Sequence, residues 1–260
     1  MNSSLYIAIP TFGDIKLECM QSVLRLYQDT YKQIEYGKDT LKICDTEVTY
    51  ANIVSARNRI VHDFLQSDAS HLLFIDGDIE FTTDAVLGML AANKPMVAAP
   101  YPRRSYINFD EITAGNGDGY SYCARPLPGN NELAADNTIP IKWIGFGFVL
   151  LQREPLAKFA EPSTKHTRRM MKYDDDSAGV RRRVSNCFGL INYHFTPQDF
   201  LSPSDVDEIY APLSEDYSFC QRWNEYGNTV HMYLGPGSPV IHHGSHRYVG
   251  HKSAFGLPDE

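Results

Sequence analysis

An α/β domain with a mostly parallel central sheet and helices on its faces is the fold that this sequence predicts. Three observations carry the prediction. Through about residue 100, short apolar runs alternate with segments whose apolar residues recur at spacings of three and four, the alternation that places parallel strands under crossover helices. The apolar run Leu72-Leu73-Phe74-Ile75 passes straight into Asp76-Gly77-Asp78, as a strand does when it delivers carboxylates to the edge of such a sheet. After Pro100 the rhythm breaks, and Gly, Asn, Pro and Tyr accumulate, which predicts a loop-rich half that walls a site.

The elements follow in order. Leu5-Tyr6-Ile7-Ala8-Ile9, stopped by Pro10, predicts a buried first strand ending in a loop. Leu17, Met20, Leu24 and Tyr27 then form one helical stripe, expected to lie on the sheet. Thr40 to Cys44 reads as a second strand. A helix is predicted from Ile53 to Leu65, where Ile53, Ile60, Val61, Phe64 and Leu65 keep helical spacing, and is closed by Gln66-Ser67-Asp68. His71 to Ile75 is a central strand. Thr82 or Thr83 caps a helix whose Val86, Met89 and Leu90 face inward as far as Asn93, and Met96 to Ala99 returns as a strand.

In the second half, Ile139 to Ile144 and Phe146 to Leu151 read as strands, and Glu161 to Pro212 as an irregular stretch. A helix is predicted from about Glu215 to Tyr226, with strands near Thr229 to Leu234 and Val240 to His242. No repeat or low-complexity linker divides the chain, so a single domain over residues 1–250 is expected. Its nucleotide-binding half covers about 1–100, its acceptor and metal-completing half about 101–250, and 251–260 form a tail.

Composition narrows the function classes. With 43% apolar residues in 260, the chain can bury a substantial core. Its five cysteines include no C-x-x-C pair, so neither a disulfide framework nor a zinc knuckle is suggested and a reducing, cytoplasmic setting is expected. A net charge of −8 argues against nucleic acid as a partner. No apolar stretch approaches the roughly 20 residues of a membrane helix, and no secretory leader opens the chain, so a soluble protein is expected. Arg168-Arg169 and Arg181-Arg182-Arg183 flank Asp174-Asp175-Asp176; this is either a loop near an anionic ligand or a surface loop that compensates its own charge.

Asp76 and Asp78 stand two residues apart, so in extended chain both carboxylates point the same way and can approach one cation, with Gly77 leaving room beside the backbone. Oxygen ligands of this kind suit Mg²⁺ or Mn²⁺, which keep open positions for phosphate oxygens. A strand-ending turn with two solvated aspartates explains the tripeptide equally well on its own. Neither a G-x-x-x-x-G-K-[ST] loop nor EF-hand spacing is present to support another phosphate or metal reading.

Taken together, Ile7 to Gly13, Ser55-Ala56-Arg57-Asn58, Asp76-Gly77-Asp78, Trp143 to Phe148, Leu213-Ser214-Glu215-Asp216 and Val240-Ile241-His242-His243-Gly244 occur in the order and approximate separation found in GT-A glycosyltransferases. The chain resembles in particular those of phages and large DNA viruses, over roughly residues 5 to 250. The resemblance implies a Rossmann-like nucleotide-sugar fold and transfer of a sugar from a nucleoside-diphosphate sugar, commonly a UDP-sugar, to a hydroxyl of a glycan or glycoconjugate.

It also implies roles. Asp76 and Asp78 would bind a divalent metal, Mn²⁺ or Mg²⁺, that holds the donor diphosphate, with a late histidine completing the set. His242 is favoured and its neighbour His243 is the rival. Asp216, at a predicted helix start where the dipole favours an ionised carboxylate, would be the catalytic base, with Glu215 orienting the acceptor. Acidic residues also favour first helical turns for purely structural reasons. Pro10, Thr11, Phe12, Asp45, Arg57, Asp76 and Gly77 would contact the donor. Trp143, Gly147 and Phe148 would wall the acceptor side, unless they are ordinary core. Transfer is expected to invert the anomeric centre. Two rival readings stand beside it: a metal-dependent nucleotidyltransferase or sugar-nucleotide hydrolase, and a non-catalytic carbohydrate-binding module.

Overall fold

The structure, a computed structural model, describes residues 3–11, 13–35, 41–50, 52–104, 120–127, 132–161, 172–175, 181–195, 209–245 and 247–257. In chain order the first half runs β1 (Ser4–Thr11), α1 (Leu17–Glu35), β2 (Lys42–Tyr50), α2 (Ile53–Gln66), β3 (His71–Ile75), β4 (Ile79–Glu80), α3 (Thr83–Ala92) and β5 (Met96–Ala98). After it come β6 (Ala124–Pro126), β7 (Thr138–Ile144), β8 (Phe148–Gln152), α4 (Arg153–Ala160), β9 (Lys172–Asp175), β10 (Arg181–Val184), β11 (Asn192–Phe195) and β12 (Ile209–Pro212). The chain continues with α5 (Glu215–Glu225), β13 (Val230–Tyr233), β14 (Ile241–His243) and β15 (Arg247–Tyr248), then a short 3-10 turn at Lys252–Phe255.

Among the described residues, eight strands form one mixed sheet in the order β2-β1-β3-β8-β5-β13-β7-β6. Only β8 and β7 run against the other six, so the α/β, mostly parallel expectation holds. Alternation along the central strands sorts side chains to two faces. Tyr6, Ala8, Leu72, Phe74, Val149 and Leu151 join the core under α2, α4 and α5. Leu5, Ile7, Ile9, Leu73, Ile75, Phe148 and Leu150 join the core under α1 and α3. Each large apolar side chain so buried contributes roughly 1.5–3 kcal/mol.

Four local expectations are corrected. Pro10 does not stop β1, which continues beside β2 to Thr11, while pairing with β3 ends at Ala8; proline is tolerated in a strand where one side lacks a neighbour. Of the expected inward stripe of α1, Leu17, Leu24 and Tyr27 face out, Leu17 and Leu24 at 68% and 55% exposure, while Met20 packs in part against the core. Cys19, Val23, Leu26 and Thr30 are buried instead, and the Thr30 hydroxyl donates to the Leu26 carbonyl at 2.5 Å. Both sets repeat at helical spacing, which establishes a helix without establishing its buried face. The strand expected from Phe146 begins at Phe148. The stretch expected to be irregular contains two small antiparallel pairs, β9 with β10 and β11 with β12. In β9 and β10, Arg181 and Arg182 stand in register with Asp175 and Asp174; Arg168 and Arg169 lie outside the described residues.

A second, three-stranded sheet in the order β15-β14-β4 positions the site. His242 pairs with Ile79 and Ile241 with Glu80, while the His243 N–H donates to the Asp78 carbonyl at 2.8 Å. Backbone pairing across more than 160 residues thereby carries a late histidine to the aspartates.

Candidate active site

The parallel strands β1, β3 and β5 end on one edge of the main sheet, and the site is built from the turns that follow them. After β3, the Asp76 N–H donates to the Gly147 carbonyl at 2.9 Å and the Ile79 N–H closes a turn onto the Asp76 carbonyl at 3.0 Å. The Lys16 N–H ties the loop after β1 to the Gly77 carbonyl at 2.7 Å. Gly77 is not demanded by the backbone: a Cβ there would make ordinary contacts with Ile15 and Thr11 at 3.5–3.6 Å.

Arg57, in the first turns of α2, is 3% exposed and bridges two carboxylates. Nη2 donates to Asp76 Oδ1 at 3.1 Å and Nη1 to Glu215 Oε1 at 2.9 Å. Its guanidinium lies 5.5 and 5.8 Å from the rings of Phe146 and Phe188, which adds a cation–π attraction. Burial pushes the Asp76 carboxyl up, Arg57 opposes, and the charges of Asp78 and Asp216 push it further up. Glu215 is raised for the same reasons, with burial leading and Arg57 opposing.

Asp78 is held the other way. Burial alone would raise its pKa, but hydrogen bonding and charge from His242 and the charge of Arg104 take it below the usual value. Its Oδ2 lies 3.1 Å from Arg104 Nη1 and its Oδ1 3.5 Å from His242 Nε2. His242 Nδ1 is 2.8 Å from the Pro102 carbonyl. A carbonyl only accepts, so Nδ1 donates a proton to it, and Nε2 is the atom presented to Asp78. The adjacent His243 points to the other face of β14, where its Nε2 lies 2.7 Å from Glu80 Oε2; the ring beside Asp78 is therefore His242.

Among the described residues, no group of three or more His, Cys, Asp and Glu side chains forms a ready metal cage. Asp78 and His242 nonetheless fit part of one. An imidazole fixed by a backbone carbonyl at one nitrogen and aimed at a carboxylate with the other is how metal-bound histidines are held. Their 3.5 Å separation is near the ~3 Å between adjacent ligands on bonds of about 2.1 Å. Asp76, the other expected ligand, is drawn to Arg57 instead.

Asp216 opens α5, where its Oδ1 accepts hydrogen bonds from the Ser214 hydroxyl and from the Tyr217 N–H at 2.8 Å. A cleft of about 330 Å³ is lined by Pro10, Thr11, Arg57, Asp76, Gly77, Asp78 and Glu215, all expected from sequence. It is also lined by Asp14, Lys16, Ile53 and Arg104, which sequence reasoning missed. A signal existed for Arg104, since Arg103-Arg104 follows β5 at the sheet edge that carries Asp76. Phe12 lies outside the described residues. Asp45 stands in β2 beside Tyr6, and its side chain also lies outside what is described.

The acceptor-wall expectation is corrected in part. Trp143 is 1% exposed, donates from Nε1 to Gln221 Oε1 at 3.0 Å and stacks on Tyr217. Phe148 is fully buried against Phe81. The close approach permitted by Gly147 is to Tyr101, whose hydroxyl accepts its N–H at 3.1 Å and whose ring an added Cβ would meet at 2.7 Å. These three residues pack beneath the site rather than facing it.

No protein-family profile and no curated protein matches the chain. Among solved structures it is similar to A197 from STIV, at 13% identity and a TM-score of 0.44, over 93% of this chain and 85% of that one. It is also similar to residues 1–349 of S. aureus TarS, at 11% identity and a TM-score of 0.34, over 91% of this chain and 59% of that one. Among the described residues no helix is long and apolar enough to cross a membrane.

Proposed function

We propose that the chain is a GT-A glycosyltransferase that moves a sugar from a nucleoside-diphosphate sugar to a hydroxyl acceptor with inversion at the anomeric carbon. One observation carries the reading: Arg57, Asp76, Asp78, Glu215 and His242, remote from one another in sequence, meet at the carboxyl edge of the main sheet with Asp216 beside them. Open α/β sheets bind nucleotides at such edges.

Asp78 and His242 would hold a divalent cation, Mn²⁺ or Mg²⁺, with Asp76 joining once it leaves Arg57. Bound there, the cation would supply Lewis-acid stabilisation to the departing diphosphate. Arg57, Arg104 and Lys16 place positive charge around the same cleft, where it suits a phosphate chain. Asp216 takes the acceptor's proton while the acceptor oxygen bonds to the anomeric carbon and the bond from that carbon to the diphosphate oxygen breaks. The hydrogen bonds to Oδ1 fix the carboxyl plane and leave Oδ2 for the proton.

Incubation with nucleoside-diphosphate sugars and saccharide acceptors should release nucleoside diphosphate in step with glycoside, with anomer-resolved NMR showing inversion. Release of monophosphate without glycoside would replace the proposal with a hydrolase. Retention would remove Asp216 from its role.

A further inference from the structure

The β11–β12 pair bears a feature that the reaction at the cleft does not use. In its antiparallel register, His194 stands opposite Tyr210 and Asn192 opposite Pro212. Alternation gives the pair two unlike faces. Inward, Tyr193 and Phe195 meet Trp143 edge-on at 5.0 and 6.0 Å, and Lys142 Nζ donates to the Tyr193 hydroxyl at 2.8 Å. Outward, the His194 and Tyr210 rings stack with centroids 4.4 Å apart and planes 2° from parallel, and Tyr210 is 75% exposed.

This outward face continues toward the site. Pro212 and Ser214 follow Tyr210 at every second position and are exposed, as are Asn192 and Leu190 across from them. The Ser214 hydroxyl donates to Asp216 Oδ1, so the strip ends on the proposed base. From Tyr210 to Asp216 are six residue steps, a span of at most about 20 Å at strand rise. Segments 190–194 and 210–214 contain no Asp, Glu, Lys or Arg. A rigid aromatic face, flanked by an amide and a hydroxyl and lacking fixed charge, suits a neutral ligand with both apolar faces and hydroxyl edges.

We propose that the strip is an acceptor subsite, and that the acceptor is a neutral oligosaccharide chain whose reacting end lies at Asp216 while a sugar several rings away stacks on Tyr210. The proposal rests on the glycosyl-transfer reading and adds to it a substrate class: an extended glycan rather than a single sugar.

The test is calorimetric titration of the full chain with maltohexaose, cellohexaose and chitohexaose, against glucose and N-acetylglucosamine. At least one hexasaccharide should bind at least tenfold more tightly than its monosaccharide. Tyr210→Ala should weaken that binding by about tenfold, a loss within the usual worth of an aromatic contact, whereas Tyr210→Phe should keep it. Tyr210 is exposed, so the Ala variant should melt within about 2 °C of wild type. The proposal is overturned if no hexasaccharide outbinds its monosaccharide or if Tyr210→Ala binds as wild type does. It is also overturned if sedimentation shows that Tyr210 instead mediates pairing with a second copy of the chain. Sugar-nucleotide turnover measured in parallel separates the two claims. Turnover without Tyr210-dependent saccharide binding refutes the strip alone; Tyr210-dependent binding without turnover upholds the strip as a glycan site and refutes the transferase.

Discussion

Replacing Arg57 by methionine keeps an aliphatic stem against Phe146 and Phe188 but removes the charge that joins Asp76 to Glu215. Breaking a fully buried ion pair costs about 3–5 kcal/mol because the remaining charge is stranded. Here Arg57 is 3% exposed while its partners are 29% and 20% exposed, so water can relax both carboxylates and the expected cost is about 2–3 kcal/mol. For a chain of this size that corresponds to a fall in melting temperature of roughly 5–10 °C.

The pH dependence supplies a sharper check. Both carboxyls already have raised pKa values, with burial the leading cause and Arg57 acting against it. An acid with a raised native pKa is most favourable to folding below its unfolded value and loses that contribution as pH rises through the native value. Without Arg57 both values rise further, so the deficit of the variant belongs to neutral pH and closes in acid. Melting curves of wild type and Arg57→Met at about pH 7.5 and about pH 4 measure this directly. Equal melting temperatures at neutral pH, or a gap that persists unchanged in acid, would refute the bridge as the source of the effect.

Further outcomes follow from the same geometry. Gly88→Ala in α3 would set a Cβ 1.8 Å from the Tyr233 hydroxyl; it should destabilise by about 1–3 kcal/mol despite alanine's better helix propensity, and a stabilised variant in urea unfolding would contradict the packing. Burial works to raise the Glu80 carboxyl, but His243 and Arg247 lower it on balance. Its stabilising contribution is thus present above the unfolded value of 4.5 and lost as pH falls through the native one. Glu80→Gln should therefore cost about 1 kcal/mol at neutral pH, with the gap closing in acid melts. Asp216→Asn should lower kcat by roughly 10²–10⁴-fold while the KM for sugar nucleotide stays within a few-fold; steady-state release of nucleoside diphosphate measures both.

How far the fold and site were legible depended on how locally each feature is specified. Leu72 to Asp78 was readable because strand, turn and carboxylates are contiguous; the extended geometry expected for the aspartates was not borne out, since β3 ends at Ile75 and a turn closed by the Ile79 N–H brings Asp76 and Asp78 to the same cleft. Glu215 and Asp216 were readable as a helix start for the same local reason. The buried face of α1 was not, because Leu17, Met20, Leu24 and Tyr27 satisfy the helical period as well as the set that is buried. Ser22 and Thr30 can share the buried face because each hydroxyl returns a hydrogen bond to the helix backbone. Nor did any local pattern pair β14 with β4. The choice of His242 over His243 came from the resemblance, and its physical basis, opposite faces of one short strand, required the pairing partner. The bridging role of Arg57 and the seating of Tyr101 on Gly147 are likewise contacts between remote segments, to which composition and spacing are blind.

Glycosyl transfer of the proposed kind requires the cleft beside Asp78 to receive the diphosphate of a sugar nucleotide with a divalent cation. Titration of UDP and GDP into wild type and Asp78→Asn, each with and without Mn²⁺, tests it most directly. One nucleotide should bind wild type at least tenfold more tightly with Mn²⁺ than without, and Asp78→Asn should abolish this enhancement. Metal enhancement that survives in Asp78→Asn, or no binding of either nucleotide to wild type, would contradict it.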